Sequence, residues 1–226
     1  SRATGKGTKP RTLGERLFQP AERDVRGSSV KRTVERKIKR NGGWGLVFEE
    51  KTVSSDVKYE GRILKVFVDQ VRMPDGSLAT RELVGHPGGV GVVALNEKQE
   101  IVLVKQYRKA MESVTLEIPA GKLDPGEGHR VCGMRELEEE TGLRAGSFEY
   151  LGCIYPSPGF TDEVTHLYLA TDLKSGTMHP DEDEYLDIVW MPITDVAEKI
   201  MKNEIPDAKT VAGVLKTLYK LQLQRA

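Results

Sequence analysis

The chain has 226 residues, 38% of them hydrophobic and 30% charged, which is enough for one large domain or two small ones. No uninterrupted apolar stretch approaches the roughly 18 to 20 residues of a bilayer-crossing helix, so a helical membrane protein is excluded and no membrane partner is expected. Formal net charge is zero, but residues 1–46 carry 13 Lys or Arg against 4 Asp or Glu while the rest is acidic, and an acidic body argues against binding nucleic acid through a broad basic face.

Residues 1–48 read as a basic flexible arm or extension. Their apolar residues are isolated points such as Leu13, Phe18, Val30 and Ile38, a composition that buries little surface. Any contact with nucleic acid is expected through this arm alone. The N-terminus lacks the apolar core of a secretory signal. The two cysteines, Cys132 and Cys153, have no close Cys or His in sequence to complete a zinc site. Both observations predict a cytoplasmic protein in a reducing compartment, with the cysteines as small core residues.

Over 49–85 the pattern changes to strands. Runs at 63–71 and 77–84 flank the turn residues Pro74-Asp75-Gly76, which predicts a small antiparallel sheet. The runs 89–95 and 101–107 read as two buried strands around a polar turn, with further strands at 148–154, 163–170 and 185–191. Helices are predicted over 194–202 and 208–223, the second with Val211, Val214, Leu215, Leu218 and Leu221 on one face. Without a regular βαβ alternation, the fold class is α+β with a layered architecture, its main domain occupying 86–226.

One segment carries the chemistry. Residues 121–126 form a loop by composition, the residues up to Thr141 suit a helix, and Gly142 is placed to end that helix in the left-handed conformation. On such a helix Glu136 lies three residues from Glu139 and four from Glu140, so the three carboxylates project from neighbouring turns of one side. A solvated acidic face is the alternative. Against it, Leu137 and Met134 mark a packed side and Arg135 can reach Glu139, which leaves Glu136 and Glu140 as a converging pair. Clustered carboxylates suit a hard divalent cation, Mg²⁺ with Mn²⁺ as the alternative, that also takes substrate phosphates as ligands. No GxxxxGK[ST] phosphate loop occurs elsewhere.

Gly121, Glu127, Arg135, Glu136, Leu137, Glu139, Glu140, Gly142 and Leu143 together resemble the Nudix box, G-x5-E-x7-R-E-U-x-E-E-x-G-U. The resemblance implies the Nudix α/β/α sandwich with a mixed sheet, preceded here by the small antiparallel N-terminal sheet. The flanks 116–123, 104–108 and 157–163 resemble the ADP-ribose pyrophosphatase subfamily, which implies hydrolysis of ADP-ribose to AMP and ribose 5-phosphate. The same resemblance implies metal ligands at Glu136, Glu140 and the backbone carbonyl of Ala120, with Glu139 as a further carboxylate. It implies that Glu163 positions or deprotonates the attacking water, with Glu139 and Arg135 supporting catalysis. Arg108 is the expected phosphate-binding residue, and Arg81 and Glu82 are candidates for substrate contact. The 49–85 sheet resembles a dimerisation element, so a homodimer is expected. Hydrolysis of another nucleotide sugar such as GDP-mannose, or non-catalytic binding of ADP-ribose, are the alternative readings.

Overall fold

A computed structural model describes residues 48–180 and 185–224. The predicted arm lies outside these residues except for its last position, Phe48.

Three strands open the described chain: β1 (Lys51–Glu60), β2 (Lys65–Arg72) and β3 (Leu78–Gly85), antiparallel in the order β1-β2-β3. Asp75 closes the β2–β3 turn by accepting the Ser77 N–H at 2.9 Å and its hydroxyl at 2.6 Å. β1 is exposed along its whole length, and its three apolar residues, Val53, Val57 and Tyr59, are interrupted by Ser54, Ser55 and Asp56, which leaves only a weak signature in the sequence.

The body begins with β4 (Gly89–Ala94), β5 (Glu100–Arg108), β6 (Ser113–Glu117) and β7 (Ala120–Lys122), then α1 (His129–Thr141). It continues with β8 (Leu143–Ile154), β9 (Thr165–Ser175), β10 (Leu186–Pro192), α2 (Ile193–Met201) and α3 (Ala208–Leu223). Two sheets form, one ordered β7-β4-β9-β8 and the other β10-β5-β6; the first is mixed because β4 runs parallel to β9 and antiparallel to β7. Side-chain alternation along β4 divides the core. Val90, Val92 and Ala94 pack with Cys132 and Leu137 of α1, whereas Val93 packs with Val196 of α2 and Val214 of α3. This is the α/β/α sandwich expected from the sequence.

Some predicted details differ. Met134 is 43% exposed, and the packed side of α1 is formed by Cys132, Gly133 and Leu137 instead. Leu215 points outward from α3, Cys132 is buried as expected, and Cys153 is only half-buried. β6 and β7 are absent from the sequence reading: β6 has only five residues, with Val114 exposed, and β7 only three. β8 starts at Leu143, directly after the helix-ending Gly142. Among the described residues no helix is long and apolar enough to cross a membrane.

Candidate active site

The acidic helix is fixed at both ends. Gly128 precedes its first turn, and Gly142, at φ 67°, adopts the left-handed conformation and donates its N–H to the Glu138 carbonyl at 2.7 Å. Buried Leu137 and Cys132 seat the helix on β4 and turn Glu136, Glu139 and Glu140 toward β7. Glu140 is buried and accepts the Ala120 N–H at 2.9 Å. Glu136 lies against Gly121 so closely that a Cβ at that position would stand 1.9 Å from its carboxyl carbon.

Arg135 joins the acids. Its Nε and Nη2 fork onto Glu127 at 3.0 Å each, while Nη1 donates to Glu136 at 2.8 Å and to Glu139 at 2.7 Å. The predicted Arg135–Glu139 contact forms, but Arg135 also holds Glu136, so Glu136 and Glu140 are not set apart as a pair. The hydrogen bonds from Arg135 keep Glu127 charged and push its carboxyl down to about 2, while the acids around Arg135 raise the guanidinium above its ordinary value.

These acids border a cleft of about 540 Å³ into which Glu136, Glu139, Glu163, Arg108 and Lys209 all project. Glu163 stands on the loop between β8 and β9, where Thr165 Oγ1 donates to it at 3.3 Å and His86 Nδ1 lies 3.9 Å away. The end of β3 anchors that loop. Val84 N–H donates to the Phe160 carbonyl at 2.7 Å, the Asp162 N–H returns to the Val84 carbonyl at 3.2 Å, and the His86 N–H reaches Asp162 Oδ1 at 2.9 Å.

Arg108, at the end of β5, forks onto Glu117 with bonds of 2.8 and 2.6 Å. Lys209 at the start of α3 pairs with the same carboxylate and with Asp207 at 3.1 Å. Burial works against the charge of Glu117, but Arg108, Lys209 and Thr115 outweigh it and hold the carboxyl at about 2.

The site residues expected from the sequence therefore separate into two groups. Ala120, Arg108, Arg135, Glu136, Glu139 and Glu163 share the cleft, with Glu140 bonded to the Ala120 N–H at its edge. Arg81 and Glu82 lie on the N-terminal sheet instead; Arg81 forks onto Glu50 at 2.8 and 2.7 Å, and Glu82 is exposed. Sequence reasoning missed His86, Glu117 and Lys209. Only the Asp207-to-Thr210 spacing, an N-cap signature at the start of α3, hints at the last of these.

A divalent cation fits the donor set chemically, since the Glu136, Glu139 and Glu140 carboxylates and the Ala120 carbonyl are all hard oxygen ligands. The missing Cβ at Gly121 is what lets the Glu136 carboxylate reach β7. Among the described residues no three or more His, Cys, Asp or Glu side chains are gathered as a closed metal cage; Glu136 and Glu139 are ion-paired with Arg135.

Comparison with known proteins places this geometry among relatives. Residues 85–213 match the family described as NUDIX domain, and residues 50–84 match the nucleoside diphosphate sugar hydrolase N-terminal domain. The chain is 44% identical over 184 residues to the methanol dehydrogenase activator of Bacillus methanolicus, covering 80% of this chain and 97% of that one. It is 38% identical over 178 residues to the ADP-ribose pyrophosphatase of Bacillus subtilis (strain 168), covering 78% and 96%. In structure it resembles an ADP compounds hydrolase with a TM-score of 0.70 at 22% identity, over 78% of this chain and 96% of that one.

Proposed function

Because the chain belongs to the NUDIX family, we propose that it hydrolyses the diphosphate bond of ADP-ribose, giving AMP and ribose 5-phosphate, with Mg²⁺ as cofactor and Mn²⁺ as the alternative. The observation that carries this reading is the meeting of three acids, Glu136, Glu139 and Glu163, with the cationic Arg108 in one cleft. Relatives named for ADP-ribose hydrolysis support the choice of substrate.

A bound divalent cation would offset the charge of the diphosphate and lower the pKa of the attacking water. Glu136, Glu139, Glu140 and the Ala120 carbonyl would hold it. Glu163, on a separate element, takes the proton from the water. Arg108 presents N–H donors to a phosphate oxygen, and Glu117 keeps its guanidinium in place. Arg135 holds the acids in register by bonding three of them. We further propose a homodimer built through β1–β3, whose first strand is an exposed edge, with Arg81 and Glu82 contacting substrate there.

A panel of nucleoside diphosphate sugars tests the function, with products identified. ADP-ribose should be cleaved with Mg²⁺, and a chelator should abolish turnover. Preference for GDP-mannose overturns the choice of substrate; full activity in chelator overturns the role of the acids.

A further inference from the structure

We propose that Lys209 is a diphosphate-binding residue, acting with Arg108 as one cationic pair set by their shared carboxylate, Glu117. The inference rests on the reading above that the cleft takes a nucleoside diphosphate.

Lys209 projects into the same cleft as Arg108, while Glu117 and Asp207, the carboxylates that hold these cations, do not border it. The group is thus a dipole with its positive end toward the cleft. An ammonium has three hydrogen-bond donors. Glu117 and Asp207 take two, and the third has no acceptor among the described residues. Arg108 likewise spends only its Nε and Nη2 on Glu117. Both cations are anchored from behind and keep donors for an incoming anion.

Such donors are needed on this cleft, because Glu136, Glu139 and Glu163 would repel a diphosphate. Placement is fixed as well. Thr210, next to Lys209, accepts the Ile118 N–H at 2.9 Å and donates its hydroxyl to Asp207 at 2.6 Å. Lys209 is thereby locked to the strand that leads directly into Ala120, so its distance from the acids does not depend on the length of a flexible loop.

The test is calorimetric titration of ADP into the full chain in chelator, comparing wild type with Lys209→Met and Lys209→Arg. Losing one charge-assisted hydrogen bond should weaken ADP binding about tenfold or more in Lys209→Met, and the Arg variant should recover most of it. The salt dependence of binding should also become shallower in Lys209→Met. Unchanged ADP affinity in a folded Lys209→Met protein overturns the proposal, as does a loss that Lys209→Arg leaves uncorrected. If Lys209→Met fails to fold, acetylation of the wild-type protein with an amine-reactive ester, read by peptide mass spectrometry, decides the matter. ADP should slow modification of Lys209 and leave Lys220 unaffected; equal rates at Lys209 with and without ADP overturn the proposal. ADP lacks the second sugar that ADP-ribose carries on its terminal phosphate, so a failed choice of that sugar shows only in the turnover panel and leaves this result standing.

Discussion

Gly121 shows how one residue can be legible in type and opaque in purpose. Its place in the box is evident from the sequence, but its reason is not backbone conformation, since its φ is not among the positive values. The reason is space: Glu136 occupies the position a side chain would need. The obstructing atom ends a flexible side chain, so a Gly121→Ala chain should fold with a nearly unchanged melting temperature while Glu136 swings away. Turnover should then fall by roughly 10²-fold or more, the usual cost of displacing a catalytic group by about 1 Å, and divalent-cation affinity should fall with it. Glu163→Gln should separate the two effects. It should lower turnover by roughly 10²- to 10⁴-fold, the worth of a positioned base, with cation affinity unchanged. Near-normal turnover in Gly121→Ala would show that Glu136 is not needed where it lies. The acids could be read from the sequence because they share one helix, whereas Lys209 meets Glu117 from 92 positions away and no local pattern reveals that.

At the scale of elements, the short stretch from β6 through β7 is what the two helices hold between them. Lys209 grips Glu117, Thr210 takes the Ile118 N–H, Val92 donates to the Pro119 carbonyl, and Glu140 takes the Ala120 N–H. Every residue from 117 to 120 is thus tied to a different neighbour, although a strand of three residues is too brief for any periodic signal. The Glu117 end also makes stability depend on pH. Its carboxyl is lowered from 4.5 to about 2, so its contribution is complete above pH 4.5 and disappears as pH falls through about 2. A shift of that size corresponds to about 3 kcal/mol. Glu117→Gln should therefore lower the melting temperature at neutral pH and flatten the decline in stability between pH 4.5 and 2, with Glu127 retaining its own share. Melting curves measured across that range check it; a parallel decline in both proteins would mean that Glu117 contributes no such linkage.

For the whole molecule, strand runs around Pro74-Asp75-Gly76 mark out an N-terminal sheet and the mix of strands and helices gives a layered α+β class, whereas the α/β/α order follows from the Nudix resemblance. What the sequence could not show is that the sheet reaches into the site. Val84, near the end of β3, forms a parallel bridge with Thr161, across a separation no pattern spans, and so fixes the loop that ends in Glu163. Removing residues 1–40 leaves this connection in place and should leave turnover close to that of the full chain. Removing residues 1–85 takes away β1–β3 and with them the partner of the Glu163 loop, so turnover should be lost. A finer test avoids losing the sheet. On one side β3 pairs with β2, and the Val84 N–H points to the other, toward Phe160. Proline is tolerated where a strand's N–H faces away from the ladder, so Val84→Pro removes the bond to Phe160, one of the three that hold the loop, while sparing the β2–β3 pairing. Turnover should fall by at least about tenfold, the worth of roughly 1.4 kcal/mol lost from the orientation of Glu163, while the cation affinity of the α1 acids stays the same. A Val84→Pro chain that turns over normally would show that the Glu163 loop keeps its position without the Val84–Phe160 bond, held by the Val84 carbonyl and the His86 N–H alone.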